Sequence, residues 1–511
     1  MKKLTALLVA ATMLFTFAGC KKDEEKDTSP PKVTTAEVNA DDCAMLVNNM
    51  TVSKEQFSYY YAMAYNYYAQ MEAAYQAQGY SLGFDATKAP DEVNSGQTDE
   101  NGNALTWNDV ITEYAKSSAK SNFAFYAEAT SAGYTLSAED EETIETTLAT
   151  IDSDAESMNL STDEYLDTYI AKGLDRDDLE KLLEIEAVAK SYEETFREKI
   201  FGNITDEQVE EKYNENPAKY NYVDIYYSVL TLPSTEQAAG ESDREYEERY
   251  NEAAAPVIEA ANEIADAATS ISAFEEAAEN NENAGTVRSA TASYENTKVS
   301  FSQETADWIF DPVRAAGDVK IFETDRALYV IYIDKTAYTD VYNDVRHCLI
   351  KFDSNDPSDE EKMEKNEIAK ELLAELEEKG VTEENFIEMA KEHSDDTGSA
   401  VNGGLIEKVS KSSNYVENFE KWATAPERRA GDCQIIETEY GYHIMYYVAD
   451  KGEVWKETVR EELQSEAYER ETEALLGEDG KYQITINEDI INEATKEFCD
   501  EMRNNSVNYA Y

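Results

Sequence analysis

Two histidines sit inside apolar, strand-like runs. His347 lies in Val345-Arg346-His347-Cys348-Leu349-Ile350, and His443 in Gly441-Tyr442-His443-Ile444-Met445. An imidazole can donate, accept and hold a proton, and two of them in strand positions of one domain predict a pair on neighbouring strands. Between them runs a Gly-rich segment, Ser394-Asp395-Asp396 to Asn402-Gly403-Gly404. The third histidine, His393, stands at an expected exposed helix end, and no Cys, Asp or Glu spacing completes a metal set. Cys43, Cys348, Cys433 and Cys499 are isolated from one another, so neither a disulfide framework nor a zinc site is implied.

These residues belong to a chain of 511 residues, long enough for two to four domains. Apolar residues make up 41%, and Lys+Arg 45 against Asp+Glu 108 leaves a net charge of −63. So acidic a surface repels nucleic acid and anionic lipid, which excludes both as expected partners. At the N-terminus, Lys2-Lys3 precedes an apolar run from Leu4 to Phe17 that ends Ala18-Gly19-Cys20. Residues 1–19 read as a signal peptide. They resemble the bacterial lipoprotein signal, which implies lipidation of Cys20 and attachment to the extracytoplasmic side of the cell membrane. Residues 20–40, with Ser29-Pro30-Pro31, read as a disordered tether.

The elements that must position the histidines come next. Residues 41–221 are expected to be helical: Ser53 with Gln56 forms a capping box, and Phe57, Tyr60, Tyr61, Ala64, Tyr68, Met71 and Tyr75 follow at helical spacing. Gly79 to Leu105 reads as a loop or hairpin insertion. This part offers no acid–base pair and no phosphate loop. From Tyr222 the texture turns to short β-rich runs around helices, and an internal repeat appears. Trp308, Pro312, Arg314, Ala316, Gly317, Asp318, Ile321, Glu323, Thr324 and Tyr332 recur 114 residues later as Trp422, Pro426, Arg428, Ala430, Gly431, Asp432, Ile435, Glu437, Thr438 and Tyr446. Two tandem α+β modules are therefore expected, residues 222–338 and 339–452. Residues 453–511 read as helices that pack back on the N-terminal ones, because a lone helix has nothing to bury against.

The second module reads strand, long helix, short helix, Gly-rich loop, helix, strand. With Phe386-Ile387-Glu388-Met389-Ala390, His393-Ser394-Asp395-Asp396, Asn402-Gly403-Gly404, Phe419 and Ala430-Gly431-Asp432 between the two histidine strands, it resembles the parvulin peptidyl-prolyl isomerases. That resemblance implies His347 and His443 side by side on adjacent strands, with Ser394, Asp396 and Thr438 joining their network. It implies a proline pocket of Ile406, Tyr415 and Phe419, with Trp422 as the second aromatic. It implies no cofactor and no metal. After Gly404 the chain departs from the family, with Leu405-Ile406-Glu407 in place of Asp-Leu-Gly. The first module carries Tyr227 and Tyr329 where the second has its histidines and lacks the Gly-Gly loop. It reads as a degenerate copy, and deleting Tyr222–Thr336 should leave isomerase activity on a short peptide largely intact.

A lipidated chain with a helical first part, parvulin modules and a helical return resembles the secretion foldases of the PrsA and SurA type. The expected function is then a peptidyl-prolyl cis/trans isomerase and chaperone for unfolded secreted clients with X-Pro bonds. The alternative is a binding-only holdase whose parvulin folds are scaffolds. A solute-binding lipoprotein fits poorly, because that class needs a two-lobed α/β architecture and no βαβ series is read here.

Overall fold

The computed structural model describes residues 43–504 apart from 235, 239–240, 414 and 478, so the expected signal, Cys20 and its tether lie outside the described residues. The chain divides into two units, Met1–Asn203 with Gln464–Tyr511, and Ile204–Leu463. Among the described residues no helix is long and apolar enough to cross a membrane.

The first unit opens with a hairpin of β1 (Met45–Val47) and β2 (Met50–Val52), then α1 (Lys54–Ala77). Ser53 and Gln56 exchange backbone and side-chain hydrogen bonds at the start of α1, satisfying donors the helix itself cannot. The polar segment that follows carries a second hairpin, β3 (Asn94–Thr98) and β4 (Ala104–Thr106). Four helices come after it: α2 (Trp107–Ser131), α3 (Ala138–Ser157), α4 (Thr162–Tyr169) and α5 (Arg176–Gly202). Phe57, Tyr59, Tyr61, Ile111, Leu148, Leu166 and Leu182 form one buried core. Glu186 sets a carboxyl against this core: it accepts from the Tyr59 hydroxyl at 3.2 Å and from Asn122 Nδ2 at 3.5 Å.

The second unit begins with α6 (Asp206–Glu215) and holds two antiparallel sheets. Its first module runs β5 (Tyr222–Thr231), α7 (Asp243–Ala267), α8 (Ile271–Glu279), β6 (Arg288–Ser293), α9 (Tyr294–Ser300), α10 (Gln303–Ile309), β7 (Val319–Glu323) and β8 (Ala327–Tyr338). The second runs β9 (Val341–Lys351), α11 (Asp359–Lys379), α12 (Glu383–His393), α13 (Thr397–Ala400), β10 (Leu405–Val409), α14 (Glu417–Ala423), β11 (Cys433–Thr438) and β12 (Gly441–Glu453). The sheets have the same strand order, β6-β5-β8-β7 and β10-β9-β12-β11. Their central registers also coincide: Tyr227 pairs with Ile331 and Val229 with Tyr329, as His347 pairs with Met445 and Leu349 with His443. The chain then forms α15 (Val454–Leu476), β13 (Ile484–Ile486), which pairs antiparallel with β1, and α16 (Glu488–Asn504). Ile491 and Ala494 of α16 complete the core of the first unit.

Strand alternation explains how the second module builds its site. Cys348 and Ile350 of β9, with Tyr442, Ile444 and Tyr446 of β12, face a core under α11 and α12. Val345 of β9, with Met445 and Tyr447 of β12, faces the other way, against Phe419 and Trp422 of α14. His347 and His443 share that second face by the period of two.

Candidate active site

β9 and β12 pair His347 with Met445 and Leu349 with His443, so the two histidines are diagonal neighbours on one face. Their Nδ1 atoms lie 2.9 Å apart. The rings are nearly parallel, 18° between planes, with centroids 5.2 Å apart. Both are buried, at 6% and 4% exposure. Phe419 meets both edge-on, at 5.4 Å from His347 and 5.6 Å from His443.

The outer nitrogens are occupied as well. His347 Nε2 lies 2.9 Å from Asp396 Oδ2 and 3.1 Å from Ser399 Oγ, and His443 Nε2 lies 2.9 Å from Thr438 Oγ1. An ionised carboxylate accepts only, so the chain has one direction. His347 Nε2–H donates to Asp396, which leaves His347 Nδ1 as an acceptor for His443 Nδ1–H. His443 Nε2 then accepts from the Thr438 hydroxyl, and the Tyr440 N–H donates to Thr438 Oγ1 at 3.2 Å. The carboxylate thus sets the tautomer of both rings.

The charges agree with this order. Burial lowers the pKa of His347 against the opposing pull of Asp396. Burial and the neighbouring His347 push His443 down to about 3. Burial alone would raise the Asp396 carboxyl, but hydrogen bonds from Ser399 and His347 hold it below its usual value. At neutral pH the site is therefore two uncharged imidazoles beside one carboxylate.

The Gly-rich loop is held by backbone geometry. The His347 N–H donates to the Gly404 carbonyl at 2.8 Å. Gly404 has φ +71°, and a Cβ there would stand 2.0 Å from the His347 carbonyl oxygen, so only glycine fits. Arg346, on the opposite face, donates from Nη1 to the carbonyls of Asn402 at 2.7 Å and Gly403 at 3.1 Å and pairs with Glu383.

Of the residues expected here, His347, His443, Asp396 and Thr438 form one hydrogen-bonded chain. Ser394 is not part of it. Its hydroxyl accepts from the backbone N–H of Leu349 at 3.1 Å and of Asp396 at 3.3 Å, closing the β9 edge where β10 has stopped pairing. Ser399 takes the place expected of Ser394, since its hydroxyl donates to Asp396 Oδ2 beside His347. The sequence carries a signal for it, a hydroxyl one turn after a helix-capping Asp, but one shared with many helix starts. Ile406 packs in the cluster of Phe419 and Met445. Tyr415 is 41% exposed, with its ring 5.3 Å from that of Phe419. Trp422 is a core residue: it is buried, its indole N–H donates to Gln434 Oε1 at 3.0 Å, and the Arg428 guanidinium covers its ring at 4.5 Å. It backs Phe419 and lines no open surface.

In the first module, Tyr227 and Tyr329 occupy the register positions of the histidines and clasp Phe301 edge-on, at 5.4 and 5.1 Å. An aromatic trio stands where the second module has a polar chain.

Residues 347–449, from one histidine strand through the other, match the family model for the PPIC-type PPIASE domain, the rotamase family. The second module is a parvulin-type domain. Over 174 residues the chain is 30% identical to Chaperone SurA of Methylococcus capsulatus, covering 33% of this chain and 35% of that one. It is 32% identical over 170 residues to the foldase protein PrsA of Clostridium botulinum strain Langeland, covering 30% of this chain and 45% of that one. The chain thus spans about a third to under a half of the length of these curated relatives. Among solved structures, PrsA of Bacillus anthracis aligns with 60% of this chain and 95% of its own at 12% identity and a TM-score of 0.19, a value that supports no argument about fold.

Proposed function

We propose that this protein is a peptidyl-prolyl cis/trans isomerase and folding chaperone, acting on unfolded chains through the face shared by His347, His443 and Phe419. The observation that carries this reading is the hydrogen-bonded pair of neutral imidazoles, 2.9 Å apart, beneath an aromatic wall. Rotation about an X-Pro bond is opposed by amide resonance, a barrier of ~18–20 kcal/mol, and lowering it needs no nucleophile and no metal. The planar amide carries the larger dipole, because resonance separates its charge. A site that takes the proline ring against Ile406, Tyr415 and Phe419 moves that amide out of water and favours the twisted, less polar state. The buried chain from Thr438 to Asp396 holds the floor rigid and uncharged while this happens.

The first module is proposed as a degenerate copy of the second, supported by the shared strand order and register and by the tyrosines in place of histidines. The helical unit is proposed as the chaperone part. Tyr67 and Tyr114 stack at 5.2 Å on its surface, and Tyr75 and Tyr80 are exposed beside the same elements. Attachment outside the cytoplasm through Cys20 completes the proposal and rests on the N-terminal sequence alone. Isomerisation of X-Pro bonds takes tens to hundreds of seconds unaided, slow enough to limit the folding of a translocated chain.

A protease-coupled assay on a prolyl peptide tests the isomerase reading. The whole chain should accelerate isomerisation, and His443→Ala should remove most of that acceleration. A wild-type rate equal to the uncatalysed one would replace it with the holdase reading.

A further inference from the structure

The wall of the proposed pocket is reached through a loop that the first module holds. β10 ends at Val409, and the chain crosses residues 410–416 before α14 delivers Phe419. Tyr415 lies in that crossing and packs on Phe419. Five hydrogen bonds restrain it and the strand end before it. The Val409 carbonyl accepts from Asn343 Nδ2 at 3.2 Å, and the Lys411 N–H donates to Asp340 Oδ2 at 2.8 Å. The Lys411 ammonium donates to Asp224 Oδ2 and to the Tyr338 hydroxyl, each at 3.2 Å. The Tyr222 hydroxyl donates to Ser412 Oγ at 3.2 Å.

Tyr222, Asp224 and Tyr338 all belong to the first module, and Asp340 stands at the start of the second, just before β9. The latch is itself braced. Asp224 Oδ1 accepts from the Tyr338 hydroxyl at 2.7 Å and from Thr291 at 2.8 Å, so its second oxygen is aimed at Lys411. The Tyr338 ring lies 4.8 Å from the same ammonium. Asp224, Asp340 and Glu420 all feel Lys411 as a counter-charge. The Lys411 and Asp224 side chains are 28% and 20% exposed, which screens the pair less than a surface one.

We infer that the first module serves the second as a positioning device: the Asp224–Lys411–Tyr338 latch sets the loop that places Tyr415 and Phe419 over the histidines. Lys411 is thus a positioning residue four positions from the pocket wall. This inference rests on the isomerase reading for its kinetic readout, and it reverses the expectation that the second module works undiminished without the first.

The test uses the whole chain and compares Lys411→Met, Asp224→Asn, the double variant and Lys411→Arg. Lys411→Met should raise KM for a prolyl peptide about tenfold with little change in kcat, because the wall is displaced while the histidine chain is untouched. Asp224→Asn should reproduce most of that loss. The double variant should be no worse than either alone, since both cut one contact. Lys411→Arg should recover most of the affinity. Single variants that lower thermal stability yet leave KM within twofold would overturn the latch and leave Lys411 a stabilising residue only. Peptide affinity, followed by fluorescence anisotropy, separates the two readings. Were the wild-type rate to equal the uncatalysed one, the isomerase reading would fall. A Kd weakened by Lys411→Met would then still sustain the latch, and an unchanged Kd would overturn it.

Discussion

At the scale of single residues the site is defined by one carboxylate. Asp396 accepts from His347, and that choice propagates through two rings to the Thr438 hydroxyl. Asp396→Asn tests it with a change of almost no volume. An amide can turn its NH₂ toward His347 Nε2, which makes that nitrogen an acceptor and reverses the whole chain. We expect kcat/KM to fall about ten- to a hundredfold with the fold intact, as a ground-state hydrogen-bond order is lost. Imidazole ¹⁵N spectra should show a bare Nδ1 on His347 and a bare Nε2 on His443 in the wild type, and the opposite pair in the variant. Unchanged tautomers would show that something other than the carboxylate orders the chain. The pH profile follows from the same residues. His443 has its folded pKa pushed down to about 3 from an ordinary 6.5, by burial and then by His347. An unfolded imidazole therefore takes up its proton first as pH falls. The stability His443 contributes is full above 6.5 and is lost as pH drops toward its folded pKa. Activity should be flat from about pH 8 to about pH 7, since burial holds both rings below the ordinary imidazole value. An inflection near the ordinary imidazole value would mean that a histidine of the site titrates freely.

At the scale of elements, local signals explain much and long-range ones the rest. The capping pairs Ser53–Gln56 and Ser161–Glu164 are visible as short motifs and stand as such at the starts of α1 and α4. The long helix expected after the first histidine strand stands as α11 (Asp359–Lys379), and the polar stretch after α1 contains the hairpin β3–β4. The two histidine strands were legible because a polar residue in an apolar run is conspicuous. Ser399 was not, because its role depends on where α13 sets it down against β9. Phe301 was hidden for a similar reason: the position aligned with Phe419 at the repeat's offset is Thr305, and an unrelated residue fills the space. Glu186 was equally silent, one carboxyl among 108 acidic residues, yet the packing of α1 and α5 closes around it. Burial pushes its pKa up to about 7, against hydrogen bonds from Tyr59 and Tyr60 that work the other way. The native state then holds the proton at pH values where the unfolded chain has released it, so this group costs stability as pH rises from 4.5 through 7. Glu186→Gln cannot lose a proton. The stability that the helical unit loses between about pH 5 and about pH 8 should shrink by roughly 2–3 kcal/mol in the variant, read by chemical unfolding. An equal loss in both proteins would show that Glu186 is ionised in the folded state.

At the scale of the molecule the governing fact is the charge of −63. On the proposed chaperone reading, exposed tyrosines of the helical unit would offer apolar contact to an unfolded client, which would first meet a dense negative field. For a cationic unfolded chain that field speeds encounter, and for an anionic one it opposes it. Salt separates the two. Raising ionic strength from about 0.05 M to about 0.5 M shortens the screening length from roughly 14 Å to roughly 4 Å. Association with a basic unfolded client, followed by stopped-flow fluorescence, should slow by about tenfold or more over that range, while association with an acidic client of similar apolar content should quicken. His443→Ala should alter neither response, because the capture of a client and the turning of its prolyl bonds are assigned to different parts of the chain. Equal salt dependence for both clients would mean that the tyrosine surface is reached without regard to charge, and that the acidity of this protein serves its own solubility instead.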